Sequence, residues 1–119
     1  MPSSPAPGYL TDVAYLRTFS GDLAPQTLRL IAALNGFTPP PADDFDYCEL
    51  GSGTGDTTAT LAAACPGARF LGVDMNAEHT AFAEGLARSG GLTNVRFLER
   101  DFESLGREPL PPFQYMTAH

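Results

Sequence analysis

The sequence contains no lysine. Its seven basic residues are all arginine and face 14 acids, so the 119-residue chain carries a net charge of −7. A chain this short of cations has little with which to draw in a phosphate backbone, and a nucleic-acid partner is not expected. Long apolar runs are missing as well. Nothing approaches the ~20 residues of a spanning helix, so no membrane partner is expected. The opening MPSSPAPGYL has neither a positive start nor an apolar stretch. It does not read as a secretory signal, and a cytoplasmic location is the default. Cysteine is scarce too. Cys48 and Cys65 lack CxxC spacing, two ligands do not make a zinc site, and their apolar surroundings read as buried free thiols. No metal is expected.

Glycine and proline, at 12 and 11 residues, punctuate the chain. The length fits one compact domain, and 43% apolar with 18% charged residues reads as globular. Pro2, Pro5, Pro7 and Gly8 mark an extended leader over residues 1–21. Residues 22–41 then read as an N-terminal helix and a stiff spacer. DLAPQTLRLIAALN (22–35) sets Thr27, Leu30, Ile31 and Leu34 at helical spacing, and Gly36 stops it. Pro39, Pro40 and Pro41 forbid regular structure.

From residue 42 the pattern alternates. FDYCEL (45–50) reads as a strand, and TTATLAAAC (57–65) as a helix with Thr58, Leu61, Ala62 and Cys65 on one face. RFLGVD (69–74) is a second strand. AEHTAFAEGLARS (77–89) is a helix capped by Asn76 and ended by Gly90–Gly91. VRFLE (95–99) and FQYMTA (113–118) read as further strands, separated by ESLGREPLPP, a loop with one helical turn. Alternation of this kind predicts an α/β fold with right-handed crossovers and a parallel sheet covered by helices. Gly85 inside its helix reads as a close packing point on the sheet, and His79 as a solvated residue.

The run ELGSGTG (49–55) lies between the first strand and its helix, at the carboxyl rim where parallel sheets bind ligands. Glycine permits positive φ and removes the Cβ that would hold a ligand away, and the next helix presents its first amides there. Spacing separates three loops. A phosphate-cradling loop needs a second glycine and a lysine, and the sequence has Asp56 and no lysine. The dinucleotide pattern G-x-G-x-x-G also meets Asp56, an acid that would repel a diphosphate, which leaves a nicotinamide enzyme as the weak reading. Alternate glycines at Gly51, Gly53 and Gly55, preceded by Glu49, remain.

Here the sequence resembles the class I S-adenosylmethionine-dependent methyltransferases. ELGSGTG is similar to their first motif, FLGVDMN (70–76) to the second and VRFLERDF (95–102) to the third. The leader GYLTDVAYLRTFSGDLAP and the end PPFQYMTAH resemble one bacterial subgroup that carries an appended regulatory domain, some members of which methylate protein lysines. The resemblance implies a Rossmann-like fold truncated to about the first four strands, with residues 42–119 as the cofactor-binding half. It implies S-adenosylmethionine as the cofactor, with contacts from Glu49, Gly51, Ser52, Gly53, Gly55, Asp74, Met75, Asp101 and Phe102.

Asp74, 19 residues after Gly55, is placed to accept from the ribose hydroxyls. Asp101 is placed to accept from the adenine amine, Phe102 to wall the base, and Glu49 to sit near the cationic amino group. Taken singly, the two aspartates read as turn caps and Met75 as a gap filler. Tyr9 and Tyr15 are packing residues that would near the crevice if the leader folds over it. In such enzymes the acceptor site is built after the fourth strand, so this chain reads as the cofactor-binding part of a methyltransferase. Self-association through an incomplete sheet is expected, and no catalytic role is given to His119. The alternative is a binding module of the same fold that transfers no methyl group. The acceptor, a small molecule or a protein, is not written in these residues.

Overall fold

A computed structural model describes residues 17–118. Most of the leader expected over 1–21, including Tyr9 and Tyr15, lies outside the described residues, as does His119.

Four strands form one all-parallel sheet in the order β3-β2-β1-β4: β1 (Asp46–Leu50), β2 (Arg69–Asp74), β3 (Val95–Glu99) and β4 (Tyr115–Ala118). The chain steps outward from β1 to β3 and then returns to β4 on the other side of β1. The carboxyl end of β1 is therefore a topological switch point. Helices α1 (Pro25–Leu34), α2 (Asp56–Ala64), α3 (Ala77–Ser89) and the single turn α4 (Phe102–Leu105) complete the fold. The α/β class expected from the alternation is the one observed, and so is the Rossmann-like form that the resemblance implied.

Apolar residues on both sides of the central strands make the sheet a buried layer. On one face Tyr47, Phe70 and Tyr115 pack with Phe45, Leu61, Ala62 and Cys65. The Phe45 ring meets Phe70 and Tyr115 edge-on, at centroid distances of 5.7 and 4.8 Å. On the other face Cys48, Leu71 and Val73 are covered by Leu98, Leu105, Leu110 and Phe113. Both cysteines are free and buried, as their contexts suggested. The expected α2 face of Thr58, Leu61, Ala62 and Cys65 is the buried one. Asn94 closes that helix's end by donating Nδ2 to the carbonyls of Ala62, Cys65 and Ala68 at 3.0 to 3.1 Å.

Two element bounds differ from expectation for local reasons. A helix from residue 22 is replaced by a 3-10 turn (Gly21–Leu23) and an α-helix beginning at Pro25. Proline holds the preceding Ala24 extended, at φ −69° and ψ 141°, so no helix can run through that pair. β4 begins at Tyr115 rather than 113, because the Gln114 side chain takes the Asp46 amide at 2.7 Å in place of a ladder bond. The α1 stripe is also exposed: Leu30, Ile31 and Leu34 are 59%, 51% and 77% accessible. Gly85 is not a packing point, since a Cβ there would meet only Arg88 Nη2 at 3.9 Å.

The N-terminal segment is fastened to the sheet by Tyr47, whose hydroxyl donates to the Leu23 carbonyl at 2.8 Å and shares a hydrogen bond with Thr117 Oγ1 at 2.9 Å. The proline spacer is anchored as well. Arg29 donates to the Pro40 carbonyl and Tyr115 to the Pro41 carbonyl at 2.8 Å. Among the described residues no helix is long and apolar enough to cross a membrane.

Candidate functional site

The glycine loop between β1 and α2 is built by its backbone. Gly51, Gly53 and Gly55 have φ of 76°, 58° and 79°, values that side-chain-bearing residues rarely adopt. The Gly51 and Ser52 amides both donate to the Val73 carbonyl, at 2.7 and 2.9 Å, which folds the loop back over the end of β2. The glycines then serve different ends. A Cβ at Gly55 would sit 2.6 Å from Ala83 Cβ and 2.9 Å from the Phe97 ring, so this position lets α2 and α3 close on the sheet. A Cβ at Gly53 would meet nothing within 4 Å. Gly53 is the open point of the loop.

Asp74 locks this arrangement. It is 3% exposed at the end of β2, and its Oδ2 accepts from the Gly53 amide at 2.9 Å while its Oδ1 accepts from the Asn76 amide at 2.9 Å. Asn76 caps α3 by accepting from the Glu78 and His79 amides at 2.9 and 3.1 Å. The first helical turn of α3 thus brings His79 toward Asp74, with Nδ1 at 4.0 Å from Oδ1. The solvated placement expected for His79 is corrected: its side chain is 15% exposed and faces the carboxylate.

Glu49 lies beneath the loop, 2% exposed, and accepts from the Thr58 hydroxyl of α2. Burial first and Glu49 second raise the Cys48 thiol to about 11. Tyr47 is pushed up to about 12, again mainly by burial. Asp101 stands apart at the tip of β3, exposed, where it caps α4 by accepting from the Ser104 amide at 2.7 Å. That bond holds its carboxyl below the usual range. Phe102 is 62% exposed beside it, and Met75 is partly buried next to Asp74.

The structure therefore gathers Gly51, Ser52, Gly53 and Asp74 into one bonded unit, with Glu49 under it and Asp101 and Phe102 on the adjoining strand tip. Gly55, the residue before α2, offers no side-chain cap to the first amides of the helix. Open space at Gly53 and uncapped amides beside it fit a small polar ligand laid across the loop. Two members went unread in the sequence. Thr58 is the hydroxyl partner of Glu49, for which a threonine in the first turn after a strand acid is the only signal. Arg17 reaches Asp56 across 39 positions, a distance at which the sequence gives none.

A family profile described as "Methyltransferase domain" matches residues 42–119. The chain belongs to that methyltransferase family. It is 36% identical over 113 residues to the uncharacterized protein sll1526 of Synechocystis, covering 94% of this chain and 22% of that one. A tRNA (guanine-N(7)-)-methyltransferase of Streptomyces avermitilis is 41% identical over 64 residues, 54% of this chain and 22% of its own length. PKMT2 from Rickettsia typhi, solved in complex with AdoHcy, superposes with a TM-score of 0.83 at 24% identity. That match covers 89% of this chain and 20% of PKMT2, and it shows a shared fold. The chain spans about a fifth of the length of these relatives. The cofactor that goes with this family and fold is S-adenosylmethionine, as the three motifs implied.

Proposed function

We propose that this methyltransferase-family chain holds S-adenosylmethionine across the Gly51–Gly55 loop and forms the cofactor-binding part of an enzyme that methylates an acceptor. The observation that carries this reading is the Gly53–Asp74–Asn76 clamp, because it fixes a side-chain-free rim at the switch point of the sheet. Gly51 and Ser52 shape the bend. Gly53 lets the ligand approach the backbone, and Gly55 seats α2. Asp74 has both oxygens engaged, yet a carboxylate has about four acceptor sites, so it can take ribose hydroxyls while keeping the loop. Asp101 accepts from the adenine amine, and Met75 and Phe102 wall the base. Glu49, beneath the loop and bonded to the Thr58 hydroxyl, lies on the side of the cationic end.

When bound, the cofactor supplies an electrophilic methyl group on a sulfonium. The chain's own contribution is orientation, since in-line displacement depends chiefly on alignment. Among the described residues no strand pairs with the outer edge of β4, which supports self-association through the sheet.

Calorimetric titration of the chain with AdoHcy and with NAD tests the reading. AdoHcy is expected to bind and NAD to bind more weakly. Equal or tighter binding of NAD overturns it.

A further inference from the structure

The first turn of α2 carries a built-in anion with its own counter-charge. Asp56 Oδ1 accepts from Arg17 Nη2 at 2.8 Å and from Nε at 3.3 Å, and Oδ2 accepts from the Thr54 hydroxyl within the glycine loop. The Arg17 guanidinium lies 4.6 Å from the centroid of the Phe82 ring on α3. Ser20 donates its amide to Thr57 Oγ1 at 3.0 Å, so residues 17–20 cross the start of α2 and are fixed there. Burial pushes the Asp56 carboxyl up, but the hydrogen bonds and charge of Arg17, with Thr54, outweigh that and hold it below the usual range.

We infer that Asp56, oriented by Arg17 and Thr54, is a specificity-determining residue that turns phosphate-bearing nucleosides away from the glycine loop. It leaves the loop to a nucleoside whose tail is cationic or zwitterionic. The inference rests on the proposed function and adds the class of ligand that is refused. An uncapped helix start beside a glycine bend is the usual place for a phosphate, because the amide dipoles there favour an anion. A fixed carboxylate in that first turn offsets the attraction of the amides and keeps the Arg17 charge engaged, away from a phosphate. A sulfonium and an ammonium meet no such barrier. The sequence makes the same point, since glycine at position 56 would complete the G-x-G-x-x-G pattern that Gly51 and Gly53 begin.

Arg17 makes the effect larger when Asp56 is removed. Its side chain is 55% exposed at the rim, so neutralising Asp56 turns a paired rim into a cationic one.

The test is calorimetric titration of ADP and of AdoHcy into the wild-type chain, Asp56→Asn, Asp56→Gly, and Asp56→Asn combined with Arg17→Ala. The Asn and Gly variants are expected to tighten ADP relative to AdoHcy by on the order of tenfold, and Arg17→Ala to remove most of the Asn gain. An unchanged ratio in variants that keep wild-type circular dichroism overturns the inference. Failure of AdoHcy to bind any variant overturns the functional reading instead. ADP then still reports on Asp56: a gain in the Asn variant upholds its role and no gain ends it.

Discussion

Asp74 and Gly53, 21 positions apart, are joined by a buried hydrogen bond of 2.9 Å from the glycine amide to Oδ2. The second oxygen is taken by Asn76, so a single carboxylate ties the glycine loop to the start of α3. Asp74→Asn sets an amide donor against an amide donor on one side. The cost is expected to be about 1–3 kcal/mol in urea denaturation, with weakened AdoHcy binding.

The glycines separate packing from function. Gly55→Ala forces a Cβ to within 2.6 Å of Ala83 at a φ of 79°, and a loss of about 2–3 kcal/mol is expected. Gly85→Ala meets open space at a φ outside the positive set, and about 0.5–1 kcal/mol of stabilisation is expected. Thermal and urea unfolding of the two variants check both signs.

Glu49 and Thr58 form the buried contact between β1 and α2. Thr58→Val keeps the shape and removes one donor from a carboxylate that is 2% exposed. A destabilisation of about 1–3 kcal/mol is expected, whereas Thr60→Val, on the exposed face of the same helix, costs less than about 1 kcal/mol.

Much of this was legible before the fold. β2, α3 and β3 occupy the residues expected of them, because Asn76 caps α3 and Gly90–Gly91 ends it, and these are local signals. The glycine loop and its three motifs were legible for the same reason. The start of α1 was not, since the helix expected from Asp22 would have to run through Pro25, which the backbone does not allow. Partnerships across the fold were hidden altogether. Asp74 could be read as an acid at a strand tip, but its bonds to the loop arise only once β2 lies beside β1. Likewise, the exposed stripe of Leu30, Ile31 and Leu34 has the spacing of a buried one, and spacing alone does not say what lies opposite.

Alkali should find the sheet's buried thiol and phenol. Cys48 is raised to about 11 and Tyr47 to about 12, chiefly by burial, so the folded state keeps protons that the unfolded chain gives up near about 8.5 and about 10. Their contribution is full below those unfolded values and fades as pH rises through the folded ones. The urea midpoint is expected to fall from about pH 8.5 upward, and Cys48→Ala to remove the earliest part of that slope.

The most direct measurement is an amide NMR titration of the labelled chain with AdoHcy. The signals of Gly51 to Gly55, of Asp74 to Asn76, and of Asp101 and Phe102 should move together with one dissociation constant. Shifts confined to other surfaces, or none at saturating ligand, would contradict a nucleoside site at this loop.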